Sequence, residues 1–231
     1  MSARAIGFDI DHTLCIDNKL EHVAFLHLLD RVIGEGGVAL GSLAQEGERI
    51  DELLAFARGG GGTIEEAVRC FVGDRGVEPT DEHVAGFKRM AMWMADTFIV
   101  ADPQSRKTLQ TLLRLNIPVA ILSNGWNPLQ IAKARLAGFG GTVLASADLG
   151  VQKPNPAAFA ALARELRTDP ERCLYVGDDP WADVGGALGA GFQAVWLDHE
   201  GKKYPTDLPP PTYVVHALEE VLALVAAEAG V

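Results

Sequence analysis

Five short apolar runs along the chain lack alternating polar residues, and they predict strands buried on both faces. They cover residues 5–8, 119–122, 143–145, 174–176 and 194–197. Helical patterns at residues 104–115, 129–137, 156–166 and 181–188 lie between them. This alternation is typical of βαβ units that build a parallel sheet with helices on its faces. Residues 213–215 are expected to form an edge strand before a closing helix to Ala229.

One long interval, from Leu20 to Asp102, departs from this alternation. It contains helical patterns at residues 20–33, 42–58, 63–72 and 80–97, without a convincing strand, and Gly59 to Gly62 break two of them apart. We therefore expect a second, all-helical domain at residues 17–101, inserted into a core formed by residues 1–16 and 102–231. The alternative is a single, very large crossover connection, which loop-length statistics disfavour.

Composition restricts the classes of partner. The 231 residues are 48% hydrophobic and 22% charged, as in ordinary globular proteins, and the net charge is -11. Nucleic acids and anionic membranes need a cationic face, so neither is expected as a partner. No apolar run reaches the length of about 20 residues that spans a bilayer. Cys15, Cys70 and Cys173 are widely spaced, which indicates a reducing cytoplasm with neither a disulfide framework nor a zinc cluster.

Polar residues follow the apolar runs at the points where the strands should end. The segments are Asp9-Ile10-Asp11-His12-Thr13, Ser123-Asn124-Gly125, Lys153 after the third run, and Gly177-Asp178-Asp179 with Asp183 further on. Ligands of parallel α/β sheets bind beyond the carboxyl ends of the strands. We therefore expect these side chains to converge on one crevice.

Each segment also has a simpler interpretation. Asp-x-Asp and Ser-Asn-Gly are common in turns, Lys153 could lie at the surface, and Asp179 could cap a helix. However, Asp9 and Asp11 lie on the same side of an extended segment, and two such carboxylates repel unless a cation or proton lies between them. Carboxylates, a hydroxyl and an ammonium group at four strand ends favour a chemical site over turn chemistry.

The ordered set Asp9-x-Asp11-x-Thr13, Ser123, Lys153 and Gly177-Asp178-x-x-x-x-Asp183 resembles the four motifs of the haloacid dehalogenase superfamily. The resemblance runs from residue 9 to about 183. It implies a Rossmann-like core, and the helical insertion resembles the family's C1-type cap domain. One departure is His12, at a position where the family usually has glycine, which raises a question about the local backbone geometry.

The resemblance implies a magnesium-dependent phosphatase acting on a small phosphorylated metabolite. Asp9 would be the nucleophile that forms an aspartyl-phosphate, and Asp11 the general acid and base. Ser123, Asn124 and Lys153 would bind the phosphate. The side chains of Asp9 and Asp178 would bind Mg²⁺ together with the backbone carbonyl of Asp11. Asp183 would orient Lys153 or a water, and Thr13 would support the loop.

Charge balance supports the metal. Asp9, Asp178 and a phosphate dianion together carry four negative charges, of which Mg²⁺ and Lys153 offset three. Each unit pair at 4 Å is worth about 4 kcal/mol at an effective dielectric constant of 20. Without the cation the nucleophile would be repelled by its target, so a metal is expected to be required.

Other activities remain open at the level of sequence. A phosphomutase of the same superfamily and a catalytically silent binding scaffold are the main alternatives. A dehalogenase is disfavoured because it would not need the acid that Asp11 provides, and a phosphonatase because no lysine can be placed as a nucleophile in the cap. Asn18, Lys19, Trp93 and Trp126 are candidate substrate contacts, although the spacing of Met90, Trp93 and Met94 indicates packing. A monomer or homodimer is expected.

Overall fold

A computed structural model describes residues 5–59 and 61–229, with side chains described as far as residue 225. The chain divides into two compact units, Met1–Ile16 with Val100–Val231, and Asp17–Ile99. The first unit contains a parallel sheet surrounded by helices, so the predicted α/β fold class is confirmed. Within the described ranges, no helix is both long and apolar enough to cross a membrane.

The strands, in chain order, are β1 (Ala5–Phe8), β2 (Cys15–Asp17), β3 (Ile99–Ala101), β4 (Val119–Ser123), β5 (Val143–Ala145), β6 (Cys173–Gly177), β7 (Gln193–Leu197) and β8 (Tyr213–Val215). Six of them form one sheet in the order β5-β4-β1-β6-β7-β8. Every pair in it is parallel, and Phe8 at the end of β1 lies beside Ile121 and Val176. The strand order therefore places β1 in the interior of the sheet between β4 and β6.

The helices are α1 (Leu20–Gly34), α2 (Leu43–Arg58), α3 (Ile64–Gly73), α4 (Asp81–Phe98), α5 (Ser105–Arg114), α6 (Leu129–Leu136), α7 (Ser146–Leu149), α8 (Pro156–Leu166), α9 (Gly186–Gly189) and α10 (Val221–Ala229). Helix α8 buries Phe159 and Leu162 against the sheet, where the Phe159 ring meets Tyr175 edge-on at 5.0 Å. Full burial of such side chains stabilises the fold by about 1.5–3 kcal/mol each.

Helices α1 to α4 make up the second unit and have their own core. The ring of Phe25 in α1 lies 5.0 Å from that of Phe71 in α3 and 4.6 Å from that of Phe87 in α4. Ser42 begins α2 and Thr63 begins α3 with reciprocal capping-box hydrogen bonds. These caps satisfy backbone N–H groups that would otherwise have no partner in the first turn. The helices of this unit therefore pack around an apolar core of their own.

The sequence interpretation missed two short strands. Ile99–Ala101 lies inside the interval that we expected to be free of strands, so that expectation is wrong; it pairs with Cys15–Asp17 in a separate two-stranded sheet. Both strands have only three residues, too few for a periodic pattern to be recognised. The helix expected at 181–188 is instead a π-helical segment, Pro180–Gly185, followed by α9.

Candidate active site

The candidate site lies at the carboxyl ends of three neighbouring strands. Asp9 follows β1 directly, Ser123 is the last residue of β4, and Asp178 follows β6. Because β4, β1 and β6 are adjacent and parallel, these residues meet at one edge of the sheet. Asp9 and Ser123 are buried. The expected convergence of the strand ends is therefore present in the fold.

Lys153 connects the motifs. Its Nζ donates hydrogen bonds to Oδ1 of Asp9 at 2.7 Å, Oδ1 of Asp183 at 2.7 Å and the hydroxyl of Tyr175 at 3.0 Å. Burial alone would lower the pKa of Lys153, but Asp183 and then Asp9 outweigh it and raise the pKa well above its usual value. The lysine is therefore a fixed buried cation beside the carboxylate of Asp9.

Tyr175 contributes to this site although the sequence interpretation did not single it out. Its hydroxyl accepts from Lys153 and donates to the backbone carbonyl of Leu122 at 2.7 Å. The residue lies inside an apolar strand run, so a tyrosine there reads as packing. Nothing in the local pattern of Leu174, Tyr175 and Val176 indicates that the Tyr175 hydroxyl lies within hydrogen-bonding distance of a lysine.

The side chain of Asn124 fixes the backbone of Lys153. Its Nδ2 donates to the carbonyl of Lys153 at 3.0 Å, and its Oδ1 accepts the N–H of Lys153 at 2.9 Å. Both ends of the side-chain amide thus join the end of β4 to the lysine segment. A contact between Asn124 and phosphate, expected from the sequence, would therefore come from its backbone N–H, and it stays a prediction.

Three carboxylates form a cluster beside Lys153. One oxygen from each of Asp9, Asp178 and Asp183 lies within 4.8 Å of the other two. Burial raises the pKa of Asp9 to about 7, and the charges of Asp183 and Asp11 add to this rise while Lys153 opposes it. Burial likewise raises the pKa of Asp178 to about 7, helped by Asp9 and Asp179. Two of the three carboxylates therefore titrate near neutral pH, where a proton or a cation can offset their charge.

Asp183 is held on both of its oxygens. Oδ1 accepts from Lys153, and Oδ2 accepts the backbone N–H of Asp179 at 3.0 Å. A Cβ on Gly177 would lie 2.3 Å from this carboxylate, so only glycine leaves room for it. Burial raises the pKa of Asp183, and Lys153 counteracts this. Lys153 and the Asp179 backbone therefore hold the carboxylate in a fixed orientation.

Two residues around the first motif have defined local roles. The Thr13 hydroxyl lies 3.5 Å from Oδ1 of Asp178, linking the β1 loop to the β6 loop. His12 has a φ of 58°, in the left-handed region that glycine adopts most easily. Its N–H donates to the carbonyl of Cys15 at 2.7 Å, and its side chain is exposed. The loop therefore has the conformation of a glycine position despite the histidine.

Asp11 has a separate cationic partner, Lys133, which the sequence interpretation missed. The Nζ of Lys133 lies 2.6 Å from Oδ1 of Asp11, and Nε2 of Gln130 lies 3.5 Å from Oδ2. Both residues lie on the buried face of α6. The signal that could have found this pair is the position of Lys133, one helical turn after Leu129 and therefore on the same face of α6. A cation on the inward face of a helix needs a buried partner.

The candidate substrate contacts differ in exposure. Asn18 and Lys19, at the start of the helical unit, are exposed, and Trp93 in α4 is 79% exposed. Packing was the favoured interpretation for Trp93, and for that residue it is wrong, whereas Met94 is buried as expected. Trp126, in the first unit, is only 2% exposed, which leaves little of its surface for a substrate.

Comparison with known proteins identifies the family of the chain. A family model described as haloacid dehalogenase-like hydrolase matches residues 3–191. A glyceraldehyde 3-phosphate phosphatase from Pyrococcus furiosus is 27% identical, over 94% of this chain and 90% of that protein.

Solved structures share the fold at lower identity. The crystal structure of a HAD phosphatase from Thermococcus onnurineus has a TM-score of 0.74 and 20% identity, covering 96% of this chain and 97% of that one. A 2-haloacid dehalogenase from Pseudomonas syringae has a TM-score of 0.71 and 24% identity, covering 97% and 99% of the two chains. With the family model spanning most of its length and the motif residues gathered at one sheet edge, the chain belongs to the haloacid dehalogenase-like hydrolases.

Proposed function

We propose that this chain is a magnesium-dependent phosphatase that hydrolyses a small phosphorylated metabolite through an aspartyl-phosphate on Asp9. The observation that carries the proposal is the cluster of Asp9, Asp178 and Asp183, in which the buried ammonium of Lys153 contacts Asp9 and Asp183. The similarity to a phosphatase over nearly the whole of both chains supports the same reaction.

Asp9 is proposed as the nucleophile because of its position and its partners. It lies at the end of an interior strand, and its backbone N–H donates to the carbonyl of Val176 at 2.9 Å. Its Oδ1 is fixed by Lys153, so the carboxylate is oriented before substrate binds. Carboxylates do form aspartyl-phosphates, and a fixed geometry removes part of the entropic cost of reaching the transition state.

The residues of the cluster fit a magnesium ion. Mg²⁺ prefers oxygen donors and retains several waters, and the cluster offers carboxylate oxygens with uncompensated charge. Because both oxygens of Asp183 already accept hydrogen bonds, Asp9 and Asp178 are the proposed direct side-chain ligands. The backbone carbonyl of Asp11 is the proposed third protein ligand. When bound, Mg²⁺ would supply the positive charge that reduces repulsion between Asp9 and the phosphate.

Phosphate binding is assigned to groups on two segments, the end of β4 and the segment that carries Lys153. The Ser123 hydroxyl and the backbone N–H of Asn124 would donate to the phosphate oxygens. The three N–H groups of the Lys153 ammonium already donate to Asp9, Asp183 and Tyr175, so Lys153 would attract the phosphate through its positive charge. Preorganised donors of this kind stabilise charge that develops in phosphoryl transfer. The amide pair between Asn124 and the Lys153 backbone supports this assignment, because it fixes two of these groups relative to each other.

Asp11 is proposed as general acid and base. In the first step the bond between phosphorus and the ester oxygen breaks, a bond from Asp9 to phosphorus forms, and the proton of Asp11 moves to the leaving oxygen. In the second step water attacks phosphorus, the bond to Asp9 breaks, and Asp11 accepts the proton of the water. Proton transfer by a positioned side chain contributes about 10²–10⁴-fold to rate.

Competing functions make different demands on the same residues. A phosphomutase would pass the phosphoryl group to a sugar, so its product would be an isomer and no inorganic phosphate would accumulate. The dehalogenase similarity shows the fold, but a phosphatase makes better use of an acid at Asp11 and of three clustered carboxylates. A silent scaffold would have no reason to retain a buried lysine between two carboxylates.

The deciding experiment is hydrolysis of 4-nitrophenyl phosphate after removal of metal with EDTA, with and without added MgCl₂. We expect activity only with magnesium, and none in Asp9→Asn, which keeps the size of the side chain. Asp11→Asn should retain a small fraction of activity. If no ester of a broad phosphorylated-metabolite panel releases phosphate in a magnesium-dependent way, the scaffold reading is favoured instead.

A further inference from the structure

The second aspartate of the first motif has its own buried lysine, distinct from the one that serves the first. Lys153 contacts Asp9 and Asp183, whereas Lys133 contacts Asp11 at 2.6 Å. The side chain of Lys133 is 1% exposed, while that of Asp11 is 27% exposed. A buried cation therefore holds the Asp11 carboxylate, while part of the Asp11 side chain remains exposed to solvent.

Helix α6 is shaped to hold this carboxylate. Gln130, one turn before Lys133, is 2% exposed and directs Nε2 towards the other oxygen of Asp11. A Cβ on Gly125 would lie 2.1 Å from that same Nε2, so the glycine of Ser123-Asn124-Gly125 makes room for the glutamine. The thiol of Cys15 donates to the backbone carbonyl of Lys133 at 3.3 Å, which ties the first-motif loop to α6 a second time.

A buried lysine is a poor choice for stability alone. Desolvation of an ammonium opposes its Coulombic gain, and apolar side chains of similar size often stabilise a core as well or better. Besides Gln130 and Lys133, which contact Asp11, the buried positions of α6 are the apolar Leu129 and Ala134. The charge is explained by what it contacts, the carboxylate proposed to transfer the proton.

We propose that Lys133, assisted by Gln130, is a positioning residue that holds the Asp11 carboxylate in the orientation needed to protonate the leaving oxygen. The inference rests on the proposed phosphatase function and deepens it. Lys133 is not expected to touch substrate, because its ammonium is buried against Asp11. Because the water step uses Asp11 for every ester alike, the leaving-group dependence should appear in kcat/KM, which reports the steps up to cleavage of the ester bond.

Leaving-group dependence tests this role. Phenyl phosphates substituted at position 4 with nitro, chloro, hydrogen or methoxy have similar shapes but increasingly basic leaving groups. Lys133→Met should reduce kcat/KM for the methoxy ester by about 10–100-fold, part of the usual contribution of general acid catalysis, and for the nitro ester by less than about threefold.

Two controls separate positioning from a structural effect. Arg135→Met removes an exposed cation from the same helix and should leave the whole series unchanged. In the Asp11→Asn background, Lys133→Met should cause less than about a twofold further loss, because residues that act as a unit are not additive. Lys133→Arg keeps the positive charge in a different geometry and should show the same leaving-group dependence with a smaller loss. It replaces Lys133→Met in the test if the methionine variant does not fold.

The outcomes are distinguishable. A uniform loss of kcat/KM across the four esters in the folded variants, or a full further loss in the Asp11→Asn background, would overturn the positioning role while leaving the phosphatase intact. If the unsubstituted protein hydrolyses none of the esters, the proposed function fails first.

Discussion

The Nζ of Lys153 lies 2.7 Å from Oδ1 of Asp183, and both side chains are almost completely buried. The same ammonium lies 2.7 Å from Oδ1 of Asp9, so two buried carboxylates share one cation. Removing one partner of a buried ion pair costs about 3–5 kcal/mol, because the remaining charge has no compensation. The stability of this edge of the sheet and its chemistry therefore depend on the same lysine.

Lys153→Met should lower the free energy of unfolding by about 3–5 kcal/mol at pH 7.5 and abolish phosphate release. Urea denaturation measures the first effect. The matched control is Lys107→Met, which removes an exposed lysine whose pairing with Glu219 should be worth less than about 1 kcal/mol. Equal destabilisation by the two variants would contradict the buried pairing of Lys153.

Asp183→Asn should reduce kcat by about 10–100-fold, as expected for loss of a group that orients residues around a metal. Asparagine can accept through only one atom, whereas Asp183 accepts from both Lys153 and the Asp179 backbone. Asp179→Asn is the control, because the Asp179 side chain caps the π-helical segment by accepting from the backbone of Trp181 and Ala182, which asparagine also does. In steady-state kinetics with saturating magnesium, the kcat of Asp179→Asn should lie within about threefold of the parent value.

Magnesium binding should be strongly pH dependent. Burial raises the pKa of Asp9 and Asp178 from 3.8 to about 7, so between about pH 4 and 7 the folded protein without metal binds more protons than the unfolded chain. Its free energy of unfolding therefore falls as pH rises through this window. Mg²⁺ competes with those protons and should raise the melting temperature more at pH 8 than at pH 5.5.

Thermal melting with EDTA or MgCl₂ across this pH range checks the linkage. Asp178→Asn removes one of the two titrating groups and should lose most of the magnesium-dependent increase. The same magnesium effect at both pH values in the parent protein would argue against these two carboxylates as ligands.

His12→Gly should be about 1 kcal/mol more stable than His12→Ala, because only glycine adopts a φ of 58° without a Cβ penalty. Relative to the parent, His12→Gly removes the backbone strain at this position but increases the conformational entropy of the unfolded chain. The net change in the free energy of unfolding should therefore be small. Chemical denaturation measures both variants. Phosphate release should be unchanged in His12→Gly, since the histidine side chain is exposed; a large loss would give that side chain a role in substrate binding.

Most strands of the sheet were predictable, and so were the residues that end them. Strand β1 matches its apolar run, because a strand buried on both faces requires a continuous apolar segment. The edge strands β5 and β8 also match theirs, although they are partly exposed. The first-motif aspartates, Ser123, Lys153 and Asp178 could be named from their positions after these runs. Strands β2 and β3 could not be found, because three residues give no periodic signal.

The sequence by itself determined the alternating core, the helical insertion and the chemical types available at the strand ends, since these follow from local hydrophobic periodicity and from residue identity. Only the tertiary structure decided which groups became partners. It paired Lys153 with Asp9, Asp183 and Tyr175, turned the Asn124 side chain to the lysine backbone, and brought Lys133 to Asp11 across 122 positions of the chain. Such pairings depend on strand order and helix rotation, which place distant residues within hydrogen-bonding distance and leave no mark on the local pattern.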